Sequence, residues 1–319
     1  MPDVRILITG GLGYIGGRIA DFLKRNRPES TIILGTSREN TEIPRWAKRF
    51  EVIRLNIRDQ VSIEKAVSND IHIVVHLAAL NELDSLNDIK FAWETNTLGT
   101  QSLLSASSEN KVQKFVYFST FHVYEGFQET ITEESPTKPH HPYAATHRAA
   151  EDMVRFYQNY KNMSTLILRL SNGFGYPMDL GVNRWTLVFN DLCRQAITLE
   201  KMVIKSSGKQ HRDFISLHDI AAAVDHFLFK NSVSWDDGLF NLGGDCSLSI
   251  IDVANKISSV FKNKYGTAIP IEISKNDTGY THHPVRFSIN KLKKTSFHLT
   301  GNMDDEIEQT LSLCENFSK

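Results

Sequence analysis

The sequence predicts an α/β fold: a doubly wound parallel sheet with a smaller mixed α/β lobe. Three observations carry that prediction. Strand-like segments at 4–9, 31–35, 51–55, 72–77, 114–119 and 165–170 alternate with helical patterns, as in a parallel sheet joined by helical crossovers. Several of these strands are nearly continuous apolar runs, such as Ile71-His72-Ile73-Val74-Val75-His76-Leu77, which suits strands covered by helices on both faces. The first strand also runs directly into three spaced glycines, Gly10, Gly13 and Gly16.

Each glycine has its own task at such a junction. Gly10 permits the sharp turn off Ile6-Leu7-Ile8, Gly13 lets the backbone approach a pyrophosphate, and Gly16 lets the next helix pack on the sheet. The helix then shows the amphipathic stripe Ile15, Ile19, Phe22, Leu23, and its N-terminus offers unpaired N–H groups to phosphate charge. A dinucleotide site follows from this context rather than from the glycines alone. Long helices are expected at about 84–109 and 143–161. After Phe174 the rhythm loosens, with helices expected at 185–198, 217–230, 247–263 and 303–317. The expected division is a dinucleotide-binding domain over 1–174, with a segment near 216–245 returning to its sheet. A second lobe takes 175–215 and 246–319.

Composition excludes several function classes. Hydrophobic residues make up 41% and charged residues 23% of the 319, and the net charge of -1 provides no basic field for nucleic acid. No apolar run approaches a membrane span, and the N-terminus lacks the pattern of a secretory signal, so a cytoplasmic protein is expected. Cys193, Cys246 and Cys314 stand far apart and read as free thiols. The pairs His140-His141 and His282-His283 lack metal-ligand spacing, so no metal site is expected.

The chemistry-bearing residues lie further along. Tyr143 and His147 are four apart on a predicted helix and share a face. They follow Ser119-Thr120-Phe121-His122-Val123-Tyr124-Glu125-Gly126 at a strand end. Together with Thr9-Gly-Gly-Leu-Gly-Tyr-Ile-Gly16, His76-Leu-Ala-Ala79, Asn96-Thr-Leu-Gly-Thr100, Arg169-Leu-Ser-Asn172, Arg212-Asp-Phe-Ile-Ser-Leu-His-Asp-Ile220 and Phe240-Asn-Leu-Gly-Gly244, this series resembles the extended short-chain dehydrogenase/reductases. It especially resembles the nucleotide-sugar epimerases, dehydratases and ketoreductases, which implies a Rossmann fold for the dinucleotide domain.

The resemblance implies that Tyr143 exchanges a proton with a sugar hydroxyl while nicotinamide exchanges a hydride with its carbon. It implies that Thr120 hydrogen-bonds the same oxygen. It places Gly10, Gly13, Tyr14, Ile15, Gly16, Asn56, Ile57, Leu77, Ala78, Ala79 and Asn96 around the cofactor, and Asn172, Arg212 and Arg286 on the diphosphate of a nucleotide sugar. Ser288 stands where relatives often have an aspartate after that arginine. The main departure is His147, where the family has lysine. Ionising a phenol of pKa about 10 near neutral pH needs about 3 to 4 kcal/mol of differential stabilisation, and an imidazole is only partly cationic there. His147 is therefore expected to bind the nicotinamide ribose and to help electrostatically less than lysine does. The alternative is a dinucleotide-binding regulatory protein without hydride chemistry.

Cofactor choice is read at the end of the second strand. NAD-selective relatives place an acidic residue there, whereas this chain has Gly35 followed by Thr36-Ser37-Arg38. Ser37 and Arg38 suit a 2′-phosphate, so NADP is expected over NAD. Dehydratases of the family have Asp-Glu after the threonine, and Phe121-His122 makes dehydration the least expected reaction. Epimerisation, ketoreduction and dehydrogenation at C4 stay open. Relatives often pair through the two long helices, which implies a homodimer.

Overall fold

The structure is a computed structural model that describes residues 4–38, 43–68, 70–125, 129–230, 232–273 and 286–317. The chain divides into two units, one of residues 1–126, 133–170 and 221–241, the other of residues 127–132, 171–220 and 242–319.

A seven-stranded sheet organises the first unit. Across it lie Leu239–Leu242, Ser164–Leu170, Lys114–Thr120, Ile73–His76, Arg5–Thr9, Thr31–Thr36 and Glu51–Arg54. The pairings from Ser164–Leu170 to Glu51–Arg54 are all parallel, so this is the doubly wound sheet that the alternating pattern predicts. The apolar runs are covered as expected: Leu7, Ile33, Val74, Phe115 and Ile167 are buried with the helix residues Leu103, Leu104, Ala150 and Val154. The winding direction reverses between Arg5–Thr9 and Ile73–His76, and in such sheets ligands bind beyond the C-terminal ends of the strands at that reversal.

The helix expected over 84–109 is not continuous. Asp88 accepts a hydrogen bond from Phe91 N and so caps a new start after Glu82–Asn87. Residues Trp93–Gly99 then form a π-helical stretch before the α-helix Thr100–Glu109. Periodicity hid the break because the apolar spacing persists across the short cap.

In the second unit a three-stranded sheet runs Ser247–Ser249, His211–Ser216, Asn172–Phe174. Met202–Ile204 pairs with Ile271–Ile273, and Thr130–Ile131 with Arg286–Phe287. The 130–131 strand, drawn from the chain's first half, therefore belongs to this unit. Helices Val188–Thr198, Ile250–Tyr265 and Met303–Cys314 enclose Phe189, Cys193, Val253, Ile257, Ile307 and Leu311. Ser249 and Asp252 form a capping box that starts the middle helix sharply. Among the described residues no helix is long and apolar enough to cross a membrane, and the three cysteines are free, Cys193 and Cys314 buried and Cys246 half-buried.

The glycine loop is folded on itself. Gly10 has φ +65, and a Cβ at Gly16 would lie 2.5 Å from the Gly10 carbonyl oxygen and 3.0 Å from Gly11 Cα. Neither neighbour is a flexible side chain, so Gly16→Ala must displace the loop. The expected outcome is a loss of about 1–3 kcal/mol, read as a lower urea midpoint with unchanged m-value.

Candidate active site

The site is assembled where the sheet reverses. A Cβ on Gly10 would approach Ala78 N to 3.2 Å, so the glycine turn lies directly against the end of the neighbouring strand. Thr9 Oγ1 accepts from Leu77 N and Ala78 N, both at 3.1 Å, and lies 2.7 Å from His76 Nδ1. With both lone pairs used, its single proton goes to Nδ1. His76 must then carry its ring proton on Nε2, 2.9 Å from Thr100 Oγ1, and Thr100 donates onward to the Asn96 carbonyl at 2.6 Å. Burial lowers the His76 pKa to about 3, with His147 adding to the effect, which keeps the ring in the neutral form this chain requires. The Asn96 amide oxygen accepts from Leu80 N at 2.7 Å, and its nitrogen donates to Thr146 Oγ1 at 3.0 Å. Asn96 and the segment 77–79 are thereby tied to the helix that carries Tyr143.

That helix, Pro142–Lys161, begins one residue before Tyr143. His141 is its N-cap and accepts from Ala144 N at 3.3 Å through Nδ1, and Pro142 occupies the position where a missing N–H does no harm. The Tyr143 ring makes an edge contact with His147 at 4.5 Å between centroids and stacks with His141 at 5.9 Å. Thr120 ends its strand, is buried, and accepts from His122 N at 3.2 Å. Its hydroxyl proton is left to donate.

His147 is buried and lies 2.7 Å through Nδ1 from Tyr117 Oη. Nε2 has no hydrogen-bond partner among the described residues. Tyr117 is held well above the ordinary phenol pKa, first by burial and then by Glu151 and Tyr143, so it keeps its proton. If Tyr117 donates to Nδ1, one group is left unpaired, the Nε2–H. The reverse arrangement would leave two, the phenol proton and the Nε2 lone pair, and unpaired buried polar groups are costly. The tautomer with Nε2–H is therefore favoured. Burial, followed by His122 and His141, lowers the His147 pKa to about 3. This corrects the partly cationic histidine expected from sequence: at neutral pH the ring carries no charge and can act only as a hydrogen-bonding group.

Beside this pair lies a buried brace that sequence reading missed. Ser119 Oγ donates to Glu151 at 2.6 Å, and Arg169 grips the same carboxylate with two bonds of 2.9 and 2.7 Å. Arg169 also covers the Tyr124 ring, whose hydroxyl donates to Asn241 at 2.5 Å. The available signal was geometric: Tyr117 and Ser119 alternate on one strand face, and His147 and Glu151 are four apart on one helix face.

At the end of the second strand, a Cβ on Gly35 would lie 2.9 Å from Leu55 Cδ2, so a larger residue there would have to push that side chain aside. Ser37 and Arg38 are exposed, and Arg38 N donates to Thr36 Oγ1 at 3.3 Å. Asn56 accepts from Arg58 N at 3.1 Å, and Ile57 is buried. Tyr14, also buried, and Ile15 open the helix that Gly13 caps, with no acidic residue in its first turn. Asn172, Arg212 and Arg286 belong to the second unit. Asn172 Nδ2 donates to the Asp213 carbonyl at 2.9 Å, while Arg212 and Arg286 are exposed on their strands. Gly126 and the pair His282-His283 lie outside the described residues.

Comparison with known proteins gives this arrangement a context. Residues 6–243 match the model of the NAD dependent epimerase/dehydratase family. The chain belongs to this family. A dTDP-D-glucose 4,6-dehydratase of Dictyostelium discoideum is 30% identical over 280 residues, 80% of this chain and 62% of that relative's length. The low-salt glycan biosynthesis protein Agl12 of Haloferax volcanii is 28% identical over 315 residues, covering 95% of this chain and 96% of its own. The structure of a UDP-N-acetylglucosamine 4-epimerase from Methanobrevibacter ruminantium M1, in complex with UDP-N-acetylmuramic acid, shares the fold with a TM-score of 0.82 at 24% identity, covering 98% of both chains. In this member of the family the glycine cradle leaves backbone N–H groups at a helix start, and the buried Nε2–H of His147 faces no acceptor among the described residues. Both features fit a dinucleotide, whose phosphates need donors and whose ribose hydroxyls offer oxygen.

The buried neutral histidines set a pH dependence. Their folded pKa values of about 3 lie below the usual 6.5, so the unfolded chain binds more protons between those limits. Their contribution to stability is complete above pH 6.5 and is lost progressively as pH falls toward 3. His147→Gln is expected to flatten the fall of melting temperature between pH 6.5 and 4, measured by circular dichroism.

Proposed function

We propose that this chain is a nucleotide-sugar oxidoreductase or epimerase that transfers a hydride at C4, with Tyr143 as the acid/base. The observation that carries this reading is the unpaired Nε2–H of buried His147, on the same helix face as Tyr143 and beside the strand reversal. A buried donor without a partner is retained where a ligand completes it. The residues that would hold NAD(P) are Gly10, Gly13, Tyr14, Ile15 and Gly16 at the phosphates, His147 at the ribose, and Asn56, Ile57 and the segment 77–79 nearby. When bound, an oxidised nicotinamide would supply the hydride acceptor and a positive charge.

The chain's own residues do the rest. Thr120 donates its hydroxyl proton to the sugar oxygen and orients it. Tyr143 takes the hydroxyl proton as the carbinol becomes a ketone and returns it in the reverse step. His147 holds the ribose as a neutral donor, so lowering of the phenol's pKa falls to the cofactor rather than to the side chain that replaces lysine. Gly35 leaves no carboxylate to bind both ribose hydroxyls, and exposed Ser37 and Arg38 favour NADP. The names of the relatives support a nucleotide-sugar substrate, with Asn172, Arg212 and Arg286 proposed at its diphosphate. Phe121-His122 in place of an acidic pair ranks dehydration last.

Exposed Leu83, Leu86, Ile89, Leu98, Phe156 and Tyr160 on the helical segments of the first unit favour a homodimer. Light scattering is expected to give twice the chain mass, and a monomer at all concentrations would refute it. The chemistry is tested by incubating purified protein with a nucleotide-sugar panel and each cofactor, followed by mass spectrometry. We expect turnover without loss of water and a preference for NADP. Tyr143→Phe should lower the rate by about 10²–10⁴-fold, and His147→Ala should weaken cofactor binding with the fold intact. An inactive wild type restored by His147→Lys would favour the non-catalytic alternative.

A further inference from the structure

Three side chains outside the hydride-transfer residues converge from three separate elements. Glu82 opens the Glu82–Asn87 helix, His122 lies in the 3-10 turn Phe121–Val123 after the strand of Thr120, and His141 caps the Pro142–Lys161 helix. One ligand atom from each lies within 4.8 Å of the other two. His122 Nε2 is 2.6 Å from Glu82 Oε1, and the two imidazoles meet edge to face at 5.2 Å. No single sequence motif signals this group, because its members are 40 and 19 residues apart along the chain.

We propose that Glu82, His122 and His141 form a binding site for a first-row divalent transition-metal ion such as Zn²⁺. Two imidazoles and one carboxylate suit such an ion, whereas Mg²⁺ and Ca²⁺ favour all-oxygen sets. A tetrahedral ion with bonds of about 2.0–2.1 Å sets its ligand atoms about 3.3 Å apart. The group reaches that spacing by opening the His122–Glu82 contact and drawing His141 inward. Three protein ligands leave a position for water or another oxygen ligand, the pattern of an open rather than a closed site.

His141 sets the strength of the site. Its Nδ1 now accepts from Ala144 N. Ligation through Nδ1 would take that lone pair, and ligation through Nε2 would place the ring proton on Nδ1, so either mode gives up the cap. Affinity is therefore expected to fall below that of a site whose ligands are free of other bonds. The same loss would loosen the first helical turn, which contains Tyr143 and links the ion to the neighbouring chemistry.

The test uses the full chain, stripped with EDTA and free of cofactor and sugar, titrated with ZnCl₂ by calorimetry and with CoCl₂ by visible spectroscopy. One equivalent of Zn²⁺ is expected to bind, with d–d bands for Co²⁺. Glu82→Gln, His122→Asn and His141→Asn should each weaken binding at least tenfold, and His140→Ala should not. Asparagine at 141 is chosen because it can still cap the helix. Melting in EDTA reports whether each variant folds, and the Zn²⁺-induced rise in melting temperature provides a second reading of binding. No stoichiometric uptake, or uptake equal in wild type and all three variants, would overturn the proposal. Since no step of the assay requires hydride transfer, failure of the proposed function would leave this outcome unaffected.

Discussion

Two contacts in matched register hold the Pro142–Lys161 helix to the sheet. Alternate residues along a strand are about 6.6 Å apart, and residues four apart along a helix rise about 6 Å. Tyr117 and Ser119 therefore meet His147 and Glu151 one for one. With those two contacts made, Tyr143 is placed another helical turn away on the same face, beside the end of the strand that carries Thr120. Sliding the helix by one turn would unpair both buried contacts and strand the Glu151 carboxylate from Arg169. Breaking a buried ion pair costs about 3–5 kcal/mol, so this register is strongly preferred.

The same burial explains what histidine can and cannot do at position 147, where the family resemblance implies a lysine. A cation at this depth would need a counter-charge, and the nearby carboxylate of Glu151 is already held by Arg169 and Ser119. A neutral imidazole bonded to Tyr117 avoids that demand and still presents one N–H. The exchange keeps a donor and removes a permanent charge. The chain of Thr9, His76, Thr100 and Asn96 follows the same logic, with each proton assigned to one acceptor and no ionised group among them.

The sheet was legible because long apolar runs and the glycine turn are local signals, and each strand core was set by a handful of consecutive residues. The glycine positions were legible for the same reason, although Gly13 and Gly16 also serve the loop's own packing against the Gly10 carbonyl. The helix break at Asp88 was not legible, since a single capping bond leaves the apolar spacing nearly unchanged. Nor were Tyr117, Glu151 and Arg169: each reads as an ordinary strand or helix residue until pairing across the sheet brings it beside its partner. The depth of His147 likewise depends on packing, which is why its charge was overestimated from sequence. Glu82, His122 and His141 meet only through tertiary structure.

Gly35 has an evolutionary consequence. Leu55, whose side chain blocks a Cβ at that position, is buried in the core of the first unit. A side chain gained at 35 would press on the end of the Leu55 side chain, which must turn aside within the packed core to admit it. Positions 35 and 55 are thereby coupled: what can stand at the end of the second strand depends on how far the buried leucine beneath it can turn aside.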